Sequence, residues 1–214
     1  MIDLIYRLSK NIHDLLSPQK IGVVLFLLQT MPAFGQDSSC FQKAKYNFEI
    51  SGEYYFPASY MRNVKSDFIS VLIGKNIHSN TGAHYSINAG FFSIAAQGST
   101  LETDLSNKEY TFLTSVKGMG PMVLGRVELV ESNKFYFTGD FSTGMAFFDN
   151  KFPPQADYYD WVLKLGLGLG YHFNKHFSAL LSARFMHLSN GKGFGPQNPT
   201  YEGYGYSFAL VKHF

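Results

Sequence analysis

Apolar and polar residues alternate one by one along four stretches of the chain. The apolar positions that share one face are Tyr46, Phe48, Ile50, Tyr54 and Phe56; Phe135, Phe137, Phe141, Met145 and Phe147; Trp161, Leu163, Leu165, Leu167, Leu169, Tyr171 and Phe173; and Tyr204, Tyr206, Phe208, Leu210 and Phe214. A period of two is typical of a β-strand with one apolar and one polar face. Weaker alternation predicts further strands at 67–74, 83–95, 119–130 and 177–189. The pattern therefore predicts an all-β protein of eight strands.

The length of these strands favours a transmembrane barrel over a soluble β-sandwich, in which the apolar faces would form the core. The strands approach the roughly 9–11 residues with which a tilted strand crosses a bilayer. Their polar faces carry many small residues, which fit the crowded interior of a small barrel. The charged residues expected to fill that interior, and to prevent a wide solute channel, are Glu49, Glu53, Asp140, Lys164 and Arg184. We predict an eight-stranded antiparallel transmembrane β-barrel.

The predicted connections differ in length between the two ends of the barrel. With the N-terminus on the periplasmic side, the connections on that side are short, at 75–82, 131–133 and 174–176. Those on the other side are longer, at 57–66, 96–118, 149–160 and 190–202. Short periplasmic turns and long external loops are typical of outer-membrane barrels.

Composition agrees with a surface that faces lipid. Aromatic residues make up 17% of the 214-residue chain and charged residues only 16%, against about 25% charged residues in a typical soluble domain. The net charge of +2 gives no electrostatic reason to expect a nucleic-acid partner. The single Cys40 excludes a disulfide scaffold.

Residues 1–35 have the order of segments found in a secretory signal peptide. Basic residues precede the apolar run 21–28, and a short polar stretch then ends in Ala33-Phe34-Gly35, with small residues where a signal peptidase requires them. The eight-residue run is too short for a membrane anchor, which needs about 20 residues. We expect cleavage after Gly35, which leaves residues 36–214 as the barrel domain.

Candidate chemistry lies at the end of the strand 177–189. Continuing its apolar face by twos gives His187 and Ser189, which are therefore expected on the lipid-facing side. Glu202 has the parity of Tyr204 and should point outward beside them. A serine, a histidine and a carboxylate on one surface meet the requirement for acyl transfer. No cluster has the spacing of a metal site, so neither a metal nor another cofactor is expected.

These residues, in their order along the chain, resemble the lipid A 3-O-deacylase family of PagL-type outer-membrane barrels. The matching segments are His187-Leu188-Ser189-Asn190-Gly191, Asn198-Pro199, Glu202 and the closing aromatic strand. The resemblance implies an ester hydrolase whose site lies on the outer surface of the barrel. By the motif, Ser189 would be the nucleophile, His187 the general base and Glu202 the residue that orients it. Asn198 would be an oxyanion-hole donor, and Asn190 would support the site.

The resemblance also implies a substrate and a location, namely the 3-O-linked acyl chain of lipid A (lipopolysaccharide) in the bacterial outer membrane. The side chains expected to line an acyl groove are Phe185, Leu188 and Tyr204. The alternative is a non-catalytic outer-membrane barrel, such as an adhesin or a structural porin-like protein. A barrel phospholipase would share the chemistry but act on a different lipid.

Overall fold

The computed structural model describes residues 44–58, 62–78, 84–103, 109–132, 134–152, 157–191 and 200–214. The strands in chain order are β1 (Tyr46–Pro57), β2 (Arg62–His78), β3 (His84–Thr103), β4 (Glu109–Ser132), β5 (Phe135–Phe148), β6 (Tyr159–Asn174), β7 (Phe177–Ser189) and β8 (Tyr201–His213). Each strand pairs antiparallel with the next, and β8 pairs with β1, so the sheet closes into a barrel. The predicted fold class is confirmed. The predicted signal peptide, residues 1–35, lies outside the described residues.

Side chains alternate between the barrel interior and the outer wall, as the sequence pattern predicts. The buried inward residues of β1 are Asn47, Glu49, Ser51, Glu53 and Tyr55. The outer wall carries large apolar side chains, of which Phe91 is 70% and Leu167 71% exposed. A continuous wall of this kind suits hydrocarbon and not water. Within the ranges described above, no helix is long and apolar enough to cross a bilayer.

Charged side chains fill the middle of the barrel. Glu53 accepts from Lys164 Nζ at 2.9 Å and from Arg184 Nη1 at 3.3 Å, and Arg184 Nη2 reaches Asp140 Oδ2 at 3.1 Å. All five residues predicted for the interior lie there and are buried. The sequence pattern missed Arg126, which holds Glu49 through two hydrogen bonds of 2.6 and 3.1 Å. These six buried charges are tolerated because each has a partner of opposite sign.

The two ends of the barrel differ. We call the end with the connections after β1, β3, β5 and β7 the loop end, and the other the turn end. At the loop end the connection after β5 folds inward, and Phe152 is fully buried with its ring 5.3 Å from that of Phe148 and 5.7 Å from that of Tyr201. The Asp149 N–H donates to the Lys117 carbonyl, and the Lys117 N–H donates to Asp149 Oδ1, both at 2.9 Å, which tethers this connection to β4. Aromatic packing thus closes the interior at the loop end.

Strands β2, β3 and β4 are longer than predicted. They continue towards the loop end, so the expected connections at 57–66 and 96–118 are wrong, and the strands are joined by 58–61 and 104–108 instead. The connections at 149–158 and 190–200 remain long, and the turns at 175–176 and 133–134 are short, as predicted. The bounds of β7 match the prediction.

The physical reason for the difference is the nature of the outer wall. In the added segments most outward residues are polar, as at Lys65 and Lys117, with Leu113 as an exposed exception, while inward residues such as Val64 and Val116 are buried. A strand that leaves the apolar band has no need of an outward apolar side chain. The alternation that marks the strand therefore fades before the strand ends.

Candidate active site

The pairing of β7 with β8 brings two of the predicted site residues together. His187 and Glu202 are directly opposite each other in the ladder, and both side chains point to the outer wall near the loop end. The His187 side chain is 29% exposed and that of Glu202 47%. Fifteen residues separate them along the chain, so the closure of the strand pair creates the contact.

A hydrogen bond joins these two side chains. His187 Nδ1 lies 3.2 Å from Glu202 Oε1. An ionised carboxylate can only accept, so Nδ1 donates and carries the proton. In the neutral ring the other nitrogen, Nε2, is then unprotonated and available as a base. The arrangement is that of a histidine oriented by a carboxylate.

Ser189 lies on the same face of β7, two residues beyond His187. This spacing is about 6.6 Å along a strand. Ser189 is the last residue of the strand, and its Oγ accepts a hydrogen bond of 3.2 Å from the backbone N–H of Gly191. Gly191 has φ of +74°, in the left-handed region that favours glycine. The chain thus turns away immediately after Ser189 and leaves its hydroxyl at the edge of the wall.

The sequence pattern predicted that Trp161 lies on an outer face but not that it is the neighbour of Ser189 on β6. Trp161 is directly opposite Ser189, and Leu163 is opposite His187. The indole of Trp161 also lies against Gly191, 3.5 Å from where a Cβ would stand. The pairing of Trp161 with Ser189 could not be found by counting back from the two-residue turn between β6 and β7. An irregularity between His172 and Asn174 shifts the register of these two strands by one residue.

Two of the three residues expected in an acyl groove are on the outer wall. Phe185 and Tyr204 are opposite each other, one row nearer the middle of the barrel than His187 and Glu202, with ring centroids 5.3 Å apart. The expectation for Leu188 is wrong. Its side chain is 0% exposed and belongs to the interior core, because a residue between two outward neighbours of a strand must point inward.

Of the two asparagines of the motif, only Asn190 lies among the described residues. Asn190 follows Ser189 and is buried, beneath the outer surface that carries the histidine. Asn198 lies outside the described residues. In the part of the chain that the structure describes, no group of three or more His, Cys, Asp or Glu side chains could hold a metal ion.

A second serine–histidine contact lies inside the barrel at the turn end. Ser178 Oγ is 2.9 Å from His213 Nε2, and both residues are buried. Phe177 and Lys212, which precede Ser178 and His213 in the sequence, are paired with each other and point to the outer side. Because a lipid on the outer wall cannot reach it, we interpret the contact as structural.

Comparisons with known proteins bear on the family and the fold of this chain. The family model described as lipid A 3-O-deacylase (PagL) matches residues 73–210, more than half of the chain and a range that contains His187, Ser189 and Glu202. The crystal structure of the outer membrane enzyme PagL is 11% identical, covers 75% of this chain and 97% of its own, and superposes with a TM-score of 0.54. This likeness supports the barrel fold.

Two further solved structures are more distant. Outer membrane protein OprG from Pseudomonas aeruginosa is 13% identical over 81% of this chain and 97% of its own, with a TM-score of 0.42. Outer membrane protein AlkL, solved in DMPC lipid bilayers, is 12% identical over 86% of this chain and 97% of its own, with a TM-score of 0.40. A search of curated proteins gave no match.

Proposed function

Since the chain belongs to the lipid A 3-O-deacylase (PagL) family, and is thereby an ester hydrolase of the bacterial outer membrane, we propose that Ser189, His187 and Glu202 catalyse the removal of the 3-O-linked acyl chain. The observation that carries this proposal is the 3.2 Å hydrogen bond between His187 and Glu202 on the outer wall, on the face that also bears Ser189. Nucleophile, base and orienting carboxylate are the three parts that ester hydrolysis by a serine requires.

The first half of the reaction transfers the acyl group to the enzyme. Ser189 Oγ attacks the carbonyl carbon of the ester, and His187 Nε2 takes the hydroxyl proton. Glu202 stabilises the imidazolium that forms. When the tetrahedral intermediate collapses, the bond between the acyl carbon and the sugar 3-oxygen breaks, and that oxygen leaves with the proton from Nε2.

The second half regenerates the enzyme. A water molecule gives a proton to His187 Nε2 and attacks the acyl carbon on Ser189, and the fatty acid leaves as Oγ regains its proton. The negative oxygen of each intermediate needs hydrogen-bond donors, whose loss typically costs about 10²–10³ in turnover. We assign one such donor to Asn198, on the resemblance of its motif, and a supporting role to Asn190.

The lateral position of the site suits its substrate. Lipid A is an amphiphile, with sugars at the membrane surface and acyl chains in the hydrocarbon. A site on the outer wall near the loop end lets the chains stay in the bilayer while the sugar ester reaches Ser189. We therefore assign the loop end to the outside of the cell. This orientation agrees with the longer connections at 149–158 and 190–200.

Mass spectrometry of lipid A tests the proposal. Cells that express the protein should lose one 3-O-linked acyl chain from lipid A, and Ser189→Ala should restore the full acyl complement. Ser79→Ala, which alters the serine that directly follows His78, is the matched control and should leave deacylation intact. Normal deacylation by Ser189→Ala would show that the nucleophile is another residue.

A further inference from the structure

Ser189 has two unlike neighbours on the outer wall, and they decide where an acyl chain can lie. On the β8 side, the row below Ser189 holds the polar pair His187 and Glu202. On the β6 side, Trp161 is directly opposite Ser189, and the outward column continues with Leu163, Leu165 and Leu167. The neighbour of His187 is thus polar on β8 and apolar on β6.

The β8 side is unfavourable for a hydrocarbon chain. A chain that crossed His187 and Glu202 would strip water from two polar groups and offer no hydrogen bond in return. One row further on, the rings of Phe185 and Tyr204 pack 5.3 Å apart and occupy the seam between β7 and β8. An acyl chain on the β8 side would have to pass over both of these rows of side chains.

The β6 side offers an apolar partner at each of the same rows, because Leu163 lies opposite His187 and Leu165 opposite Phe185. Methylene groups against Trp161 remove apolar surface from the aqueous edge near the loop end. Further along the column, Leu167 is flanked by Ala183 on β7 and Gly139 on β5. A Cβ at Gly139 would still stand 4.0 Å from the Leu167 side chain. The wall is therefore low on both sides of Leu167, whereas Leu165 lies between Phe141 on β5 and Phe185 on β7.

On these grounds we infer that the acyl chain under cleavage lies along the seam between β6 and β7, with its first carbons against Trp161 and the rest over Leu163 and Leu165. Trp161 then determines selectivity for chain length. Phe185 lines the same seam opposite Leu165, whereas Tyr204 lies outside it on β8. The inference rests on the proposed function, since it takes Ser189 as the point of attachment. It keeps the expectation that Phe185 contacts the chain and gives up that expectation for Tyr204.

Fluorescence provides a direct test, because Trp161 is the only tryptophan of the sequence. The protein is inactivated by Ser189→Ala and held in detergent micelles, and the probe is lipid A brominated on its 3-O-acyl chain. We expect stronger quenching of the indole than with the same lipid brominated on its 2-N-acyl chain. In the matched variant Ser189→Ala/Trp161→Phe/Tyr204→Trp, which moves the indole to β8, the two brominated lipids should quench equally.

The opposite pattern overturns the inference, and so does equal quenching by both lipids with Trp161 in place. The proposed function is judged separately, by deacylation of lipid A by the unaltered enzyme. If that activity depends on Ser189 while the quenching prediction fails, the chain lies elsewhere. If Ser189 is not needed, the nucleophile assignment fails together with the inference.

Kinetics gives a second readout that loss of structure would not mimic. Trp161→Ala should lower kcat/KM about tenfold more for lipid A with a long 3-O-acyl chain than for an analogue with a short one. Phe91→Ala removes another exposed lipid-facing ring, on β3, and should leave that ratio unchanged. Equal losses for both substrates in Trp161→Ala would overturn the role of Trp161 in selectivity.

Discussion

The hydrogen bond between His187 and Glu202 sets the chemistry at the scale of single residues, because it determines which imidazole nitrogen remains free to act as a base. We expect Glu202→Ala to lower the turnover of lipid A by on the order of 10⁴. His187→Ala should cost more, since it removes the base itself. Initial rates in detergent micelles measure both effects, and Glu202→Asp should recover part of the loss if the shorter side chain still reaches Nδ1.

A double-mutant cycle shows whether the two residues act through one imidazole. In the variant Glu202→Ala/His187→Ala the two losses should be far from additive, because the carboxylate has no role once the ring is gone. The gel mobility of the folded barrel should stay unchanged, as both side chains are partly exposed on the wall. Fully additive losses would assign Glu202 to another role.

Strand parity alone was enough to predict that His187, Ser189 and Glu202 share the outer wall. The same rule, applied to the residue between the first two, would have put Leu188 inside, where the structure has it. Trp161 was out of reach, because its place beside Ser189 depends on a one-residue shift of register near the turn after β6. A bulge leaves no clear mark in the hydrophobic pattern.

At the scale of the strands, the charge network ties opposite sides of the barrel together. Glu53 on β1 meets Lys164 on β6 and Arg184 on β7. Glu53→Ala leaves both cations without this partner, and breaking a buried ion pair costs about 3–5 kcal/mol. We expect a loss of this size in the free energy of unfolding, measured by urea titration in lipid vesicles.

Glu202→Ala is the control for that measurement, because it removes a carboxylate that lies on the outer wall and is half exposed. Its unfolding midpoint should match that of the unaltered protein. A Glu53→Ala variant as stable as this control would mean that the interior packing, and not the ion pairs, holds the barrel.

The lengths of the strands were only partly readable from the sequence. Where lipid covers the wall, most outward residues are apolar, and the predicted bounds of β7 match those of the structure. Beyond the lipid, β2 to β4 need only their inward residues, so the ends of these strands carry no period of two on the outer side. The hydrophobic pattern therefore indicated the lipid-facing part of each strand better than the full length of the strand.

At the scale of the whole molecule, we propose that the chain reaches the outer membrane after loss of residues 1–35. Protein extracted from outer membranes should have the intact mass of residues 36–214. Its band should shift on heating, as is expected when a detergent-resistant barrel unfolds. Ala33→Arg should block cleavage, because the peptidase requires a small residue there. A full-length mass in the membrane fraction would contradict the assignment.

The closure of the loop end by Phe152 has a consequence for how many copies a cell can carry. The described side chains fill the barrel with aromatic rings and paired charges. We therefore expect the protein not to conduct ions across the membrane. Each added copy should then enlarge the catalytic surface without opening an aqueous path through the part of the barrel that the structure describes. Abundance would thereby be uncoupled from permeability, and a bacterium could remodel its outer leaflet without leaking ions.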